Sequence, residues 1–104
     1  MEIDLRKIKV PKYRPDGAYV TKTPPINSVA SQRGFKLKDK VTGSIHTLTG
    51  KYARVSGYIV GFCGDDVVVY SKKDNAFYFV RGKNVFKDKH TWDWRRSLFN
   101  NPQW

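Results

Sequence analysis

Residues Tyr52 to Tyr70 read YARVSGYIVGFCGDDVVVY. Apolar and aromatic side chains crowd both sides of a Gly-Asp-Asp break. Two β-rich runs around so short a break predict an antiparallel hairpin that turns at Gly64-Asp65. Gly57 and Gly61 interrupt the first run, and glycine inside a strand marks a bulge or a sharp bend. Downstream, SKKDN reads as a turn, AFYFV as a strand and RGKN as a second turn before a short VF. Upstream, FKLKDKV alternates, with Phe35 and Leu37 on one side and Lys36 and Lys38 on the other. GSIHTLTG, from Gly43 to Gly50, reads as a strand-edged loop. Five short strands spaced by turn signals over residues 35–87 predict an all-β domain, a small barrel or sandwich.

The strand period is two, so Val67 and Val69 share one face and Val68 and Tyr70 the other. A closed interior favours aliphatic and Phe side chains and accepts Tyr only where its hydroxyl finds a partner. That assigns Val55, Ile59, Phe62, Val67, Val69, Phe77 and Phe79 to the interior. Tyr52, Tyr58, Tyr70 and Tyr78 then face outward.

Placed end to end, KLKDKV and KYARVSGYIVGFCGDDVVVYSKKDNAFYFVRGKNVF resemble an SH3-like five-stranded barrel of the KOW or Tudor kind. The likeness covers about half the chain. VSGYIVGF carries the Gly-x-apolar centre of a KOW motif through Gly57, Ile59 and Phe62, without that motif's wider glycine pattern. SGYIVGFC is also similar to a barrel strand of the plasmid-borne type II dihydrofolate reductases. That family uses Val-Gln-Ile-Tyr at its active pore. The strand here is AFYFV, with no Gln, so the likeness implies architecture and not reductase activity.

The flanks differ from the centre. Residues 1–34 hold four of the five prolines, and seven Lys and Arg against three acids, and read as an extended basic arm. Pro11, Pro15, Pro24 and Pro25 disfavour helix there, and Pro15-Asp16-Gly17 is a turn. Residues 88–104 (DKHTWDWRRSLFNNPQW) predict a short helix from Trp92 to about Phe99. Thr91 would be its N-cap, Asp93 would lie near its positive end, and Asn100-Asn101-Pro102 would stop it.

Charge narrows the function classes. The chain has 104 residues and a net charge of +11, with 20 Lys and Arg against 9 Asp and Glu. A basic chain with a structured core fits a polyanion, and nucleic acid leads because its phosphates shed counterions to Lys and Arg. Cys63 is the only cysteine. It rules out an intrachain disulfide and a cysteine-based zinc site, and its apolar setting reads as core. No apolar run approaches a membrane span, and MEIDLRKIKVPKYRP has no signal-peptide core. An intracellular, cytoplasmic protein is expected, with no membrane partner and no cofactor.

Catalysis is not expected. His46 and His90 lie far apart without a partner carboxylate, Asp65 and Asp66 belong to a turn, and Ser56 has no neighbouring base. No glycine-rich phosphate loop precedes a helix. The expected nucleic-acid contacts are Arg54, Tyr58, Tyr70, Lys72, Lys73, Tyr78, Arg81 and Lys83 on or beside the strands. Arg6, Lys7, Lys9, Lys12 and Arg14 on the arm extend them. Rings stack bases and cations meet phosphates, so binding of DNA or RNA should be mostly to the backbone and weakly sequence-specific. The alternative is an adaptor for an acidic protein, with Trp92, Trp94, Arg95 and Arg96 as interface residues. A phage or mobile element fits so small a basic chain, with a host polymerase or nuclease as the acidic target.

Overall fold

The hairpin forms where the sequence places it. Cys63 pairs with Asp66, so Gly64 and Asp65 are the loop, and Gly64 takes φ +57°. The structure, a computed structural model, describes residues 4–46 and 49–87. Five antiparallel strands make one sheet: β1 (Lys40–His46), β2 (Tyr52–Cys63), β3 (Asp66–Ser71), β4 (Ala76–Arg81) and β5 (Val85–Lys87). Their order is β4-β3-β2-β1-β5. The described chain is all-β apart from a one-turn helix, α1 (Val29–Gln32), and two 3-10 turns at Leu5–Lys7 and Gly82–Asn84. The expected helix from Trp92 to Phe99 lies outside the described residues.

The expected bulge is present. Ile59 pairs with Val69 and Gly61 with Val68, which leaves Val60 as the extra residue. Gly57 and Gly61 have different tasks around it. A Cβ at Gly57 would lie 2.0 Å from the carbonyl oxygen of Tyr70, so only glycine lets β2 and β3 approach so closely. A Cβ at Gly61 would lie 2.7 Å from Val20 Cγ1 and 3.2 Å from the Thr21 oxygen. The N-terminal segment crosses β2 there. Thr21 and Phe62 exchange two backbone hydrogen bonds of 2.8 and 2.9 Å.

The sheet therefore has apolar layers on both faces. The larger contains Ala30, Phe35, Val41, Val55, Ile59, Phe62, Val67, Val69, Val80 and Val85. The second sets Val20 against Val60, Cys63 and Val68, with Leu5, Ala18, Tyr70, Phe77 and Phe79 packed around them. Burial of each such Val, Ile or Phe contributes about 1.5–3 kcal/mol.

Two sequence expectations need correction. Phe77 and Phe79 are not in the main core; Tyr78 and Val80 face it instead. Val80 is opposite Val67 and Tyr78 opposite Val69, and directly opposed residues share a face. Covered on both faces, β4 has no polar side to orient it. The first strand is also displaced. FKLKDKV is a turn up to Asp39, whose carboxylate accepts the Lys36 N–H at 3.0 Å, and the strand proper continues into GSIH. Gly43 hid that strand, because an inward glycine breaks the alternation. The sheet curls enough that Val80 of β4 fills its place, with Cγ1 2.9 Å from a Cβ built at Gly43.

Gly57→Ala should cost roughly 3 kcal/mol in denaturant unfolding, because the added methyl meets backbone in a neighbouring strand. Gly61→Ala meets a side-chain end first. It should cost about 1–2 kcal/mol and accelerate amide exchange at Thr21 more than at Val68.

Candidate nucleic-acid interface

The Pro15-Asp16-Gly17 turn forms as expected and shapes the site. The Arg14 and Gly17 amides donate to Ala18 and Arg14 carbonyls at 2.7 and 2.8 Å, and Tyr13 bridges Tyr19. The Val20 amide then donates to the Lys12 carbonyl at 3.1 Å. This loop brings Lys12, Tyr19 and Val20 together over the bulge in β2. Arg14 is its anchor, donating to both Asp16 and Asp66. Asp66 is 8% exposed and Arg14 26%. The other Asp66 oxygen, buried and without a hydrogen bond, faces Arg81 Nε at 3.4 Å.

A groove of about 610 Å³ opens between this loop and the turn at residues 36–39. Leu5, Val10, Val20, Leu37 and Val60 form its apolar wall and floor. Arg6, Lys12, Lys22 and Lys38 bring four cations to it, Arg6 also meeting Asp4 at 3.2 Å, and no carboxylate among the described residues lines it. Tyr19 is the aromatic ring in the lining and is 56% exposed. Tyr13 meets Tyr19 edge to face, centroids 5.4 Å apart and planes at 88°.

Lys38 is held in an uncommon conformation. Its φ is +74°, in the left-handed region that favours glycine, and its amide donates to the Ile59 carbonyl at 2.8 Å. The Ile59 amide answers to the Asp39 carbonyl at 3.0 Å. Such strain in a residue with a side chain costs on the order of 1 kcal/mol and clusters at functional sites.

Of the residues expected to bind, the fold gathers Arg6 and Lys12 at the groove. Lys7 and Lys9 are exposed on the segment between them. Arg14 is a structural clamp, and Arg81 is exposed beside the same Asp66. On the sheet, Tyr58 lies between Lys40 and Tyr70, with Phe77 next in the row. Tyr58, Tyr70 and Tyr78 are half-buried. The Tyr70 hydroxyl donates to Asn75 at 2.8 Å and that of Tyr78 to Asp74 at 2.9 Å. Both phenols thus brace the turn that carries Lys72 and Lys73. The bond to Asp74, with burial behind it, raises the Tyr78 phenol above its ordinary 10.0. Tyr78 does not face outward as expected, because the pairing of β4 turns it toward the main core. Arg54 is exposed further along β2, and Lys83 is exposed on the turn before β5. Trp92, Trp94, Arg95 and Arg96 lie outside the described residues.

The sequence reading missed Tyr19, Lys22, Leu37 and Lys38. It also missed Arg33, which donates to the Gly82 carbonyl at 2.7 Å and lies 5.1 and 5.0 Å from the rings of Phe35 and Phe86. Cys63 is buried, and that burial pushes its thiol up, as suits a core residue. No group of three or more metal-ligating side chains occurs among the described residues. No helix there is long and apolar enough to cross a membrane. Comparison with protein-family models, curated proteins and solved structures gave no significant match.

The anchor predicts an acid response. The hydrogen bond from Arg14, followed by that from the Ala18 amide, holds the Asp16 carboxyl below its ordinary 3.8. A carboxylate lowered by folding stabilises the fold above its ordinary pKa, and the contribution is lost as pH falls through the lowered value. Asp16→Asn should therefore lower stability at neutral pH and flatten its dependence on pH below 3.8, read by thermal melts across an acid series.

Proposed function

We propose that the chain is an SH3-like barrel that binds nucleic acid, mostly through the backbone, in the groove beside the β2 bulge. The strand order, the pairing of β1 with both β2 and β5, and the 3-10 turn between β4 and β5 support the barrel reading. The observation that carries the function is the lining of the groove: four cations, an exposed tyrosine and, among the described residues, no carboxylate. Phosphates lose little solvation at such a rim, and their condensed counterions are released to bulk solution. Lys7, Lys9, Lys36 and Lys40 are exposed within two residues of the lining in sequence. Arg54, Lys72, Lys73 and Lys83 would meet a longer strand that leaves the groove.

A second reading has its own observation. The groove floor is aliphatic, and Ile26 elsewhere on the N-terminal segment is 89% exposed. An acidic protein with apolar anchors would fit these features, as an adaptor's partner would. Binding to a nuclease-treated acidic protein that is unchanged when Lys12 and Lys22 are neutralised together would favour neither reading of this groove.

Salt tests the first reading. If the four lining cations each meet a phosphate, log K should fall against log salt with a slope of about −3 for a single strand. Neutralising Lys12 and Lys22 together should reduce that slope by about 1.4. A flat dependence removes nucleic acid from consideration. Lys38 offers a sharper check, because strain and binding oppose each other there. Lys38→Gly should stabilise the fold by about 1 kcal/mol while weakening oligonucleotide binding, measured by thermal melts and by fluorescence anisotropy.

A further inference from the structure

We infer that the groove takes an unstacked base, so that the protein selects single-stranded over double-stranded nucleic acid; this rests on the nucleic-acid reading above. A basic patch alone would serve a duplex, whose outer surface is phosphate. This groove has a feature a duplex cannot use. Beside its cations the lining is apolar, with Val20, Leu37 and Val60 in it and Tyr19 among them. Its volume of about 610 Å³ lies in the range of small-ligand clefts, roughly 300–1,000 Å³. That space admits a base or two and excludes a double helix.

Tyr19 has the geometry of a stacking platform. Its ring is held edge to face by Tyr13, so whichever ring supplies the edge, at least one face of Tyr19 is not covered by Tyr13. An ordered ring loses little freedom when a base stacks on it, and stacking tolerates any base because each has a π face. The cations at Lys12 and Lys22 stand on the same chain segment as Tyr19 and would receive the flanking phosphates. A strand bound in this way places phosphates at the rim and bases at the floor, which matches the polar and apolar parts of the groove.

The test uses the full chain and oligonucleotides of about 12 nucleotides, the scale of one single-strand site. Poly-dT and poly-U oligomers and a mixed-sequence duplex are titrated by fluorescence anisotropy at one salt concentration. Wild type is compared with Tyr19→Leu, which keeps apolar bulk and removes the ring, and with Tyr19→Phe, which keeps the ring. Thermal melts confirm that each variant is folded. The expected result is single-strand binding at least tenfold tighter than duplex binding. Tyr19→Leu should lower it about five- to hundred-fold, with duplex binding unmoved and Tyr19→Phe close to wild type. Equal affinity for single strand and duplex, with Tyr19→Leu silent, overturns the inference and leaves the nucleic-acid reading standing. If neither form binds in a salt-dependent way, both fall. Should Tyr19→Leu melt early, Leu37→Ser in the same lining replaces it. Loss of single-strand affinity supports the inference, and an unchanged affinity overturns it.

Discussion

The structure depends on one crossing. At Thr21 and Phe62 the N-terminal segment exchanges a pair of backbone hydrogen bonds with the far end of β2. That pair lies just past the bulge at Val60, and Gly61 has no side chain to obstruct the approach. Once the segment is seated, Val20 covers Val60, Cys63 and Val68. Arg14 comes within reach of Asp66, and one wall of the groove is in place. Without the crossing, the outer face of the hairpin would present valines and phenylalanines to water.

This second apolar layer explains what the sequence showed and what it concealed. The hairpin loop, the bulge and the Pro-Asp-Gly turn were legible because each is decided by a few neighbouring residues with special backbone needs. The face of β4 was not legible. Phe77 and Phe79 suit an interior as well as Tyr78 and Val80 do, and alternation cannot orient a strand that is covered on both sides. The second half of β1 was concealed for a related reason. Gly43 occupies an inward position that Val80 fills from β4, so the apolar signal of that position sits on another strand. The single turn of α1 rests on the Ser28 hydroxyl accepting the Ser31 amide, a cap too short to stand out among prolines.

The candidate site was partly legible. A basic N-terminal arm was visible from composition, and Arg6 and Lys12 belong to the groove. Lys22, Leu37 and Lys38 reach it from other parts of the chain, and no local pattern joins them. Among the described carboxylates, Asp4, Asp16, Asp39 and Asp66 pair with Arg6, Arg14, Arg81 or Lys87. None of these four, nor Asp65 or Asp74, lines the groove. Of the strand tyrosines, Tyr58, Tyr70 and Tyr78 are half-buried and Tyr52 is exposed, and the ring that lines the groove, Tyr19, comes from the arm.

The docked N-terminal segment also makes the groove a reporter of partial opening. Its floor belongs to the sheet, but Lys12, Tyr19 and Val20 belong to the docked segment, and an opening that lifts only that segment away costs no more than complete unfolding. The groove vanishes in that event. Anything that occupies it therefore draws the population toward the docked form by mass action, and occupancy and protection of the Thr21 amide must rise and fall together.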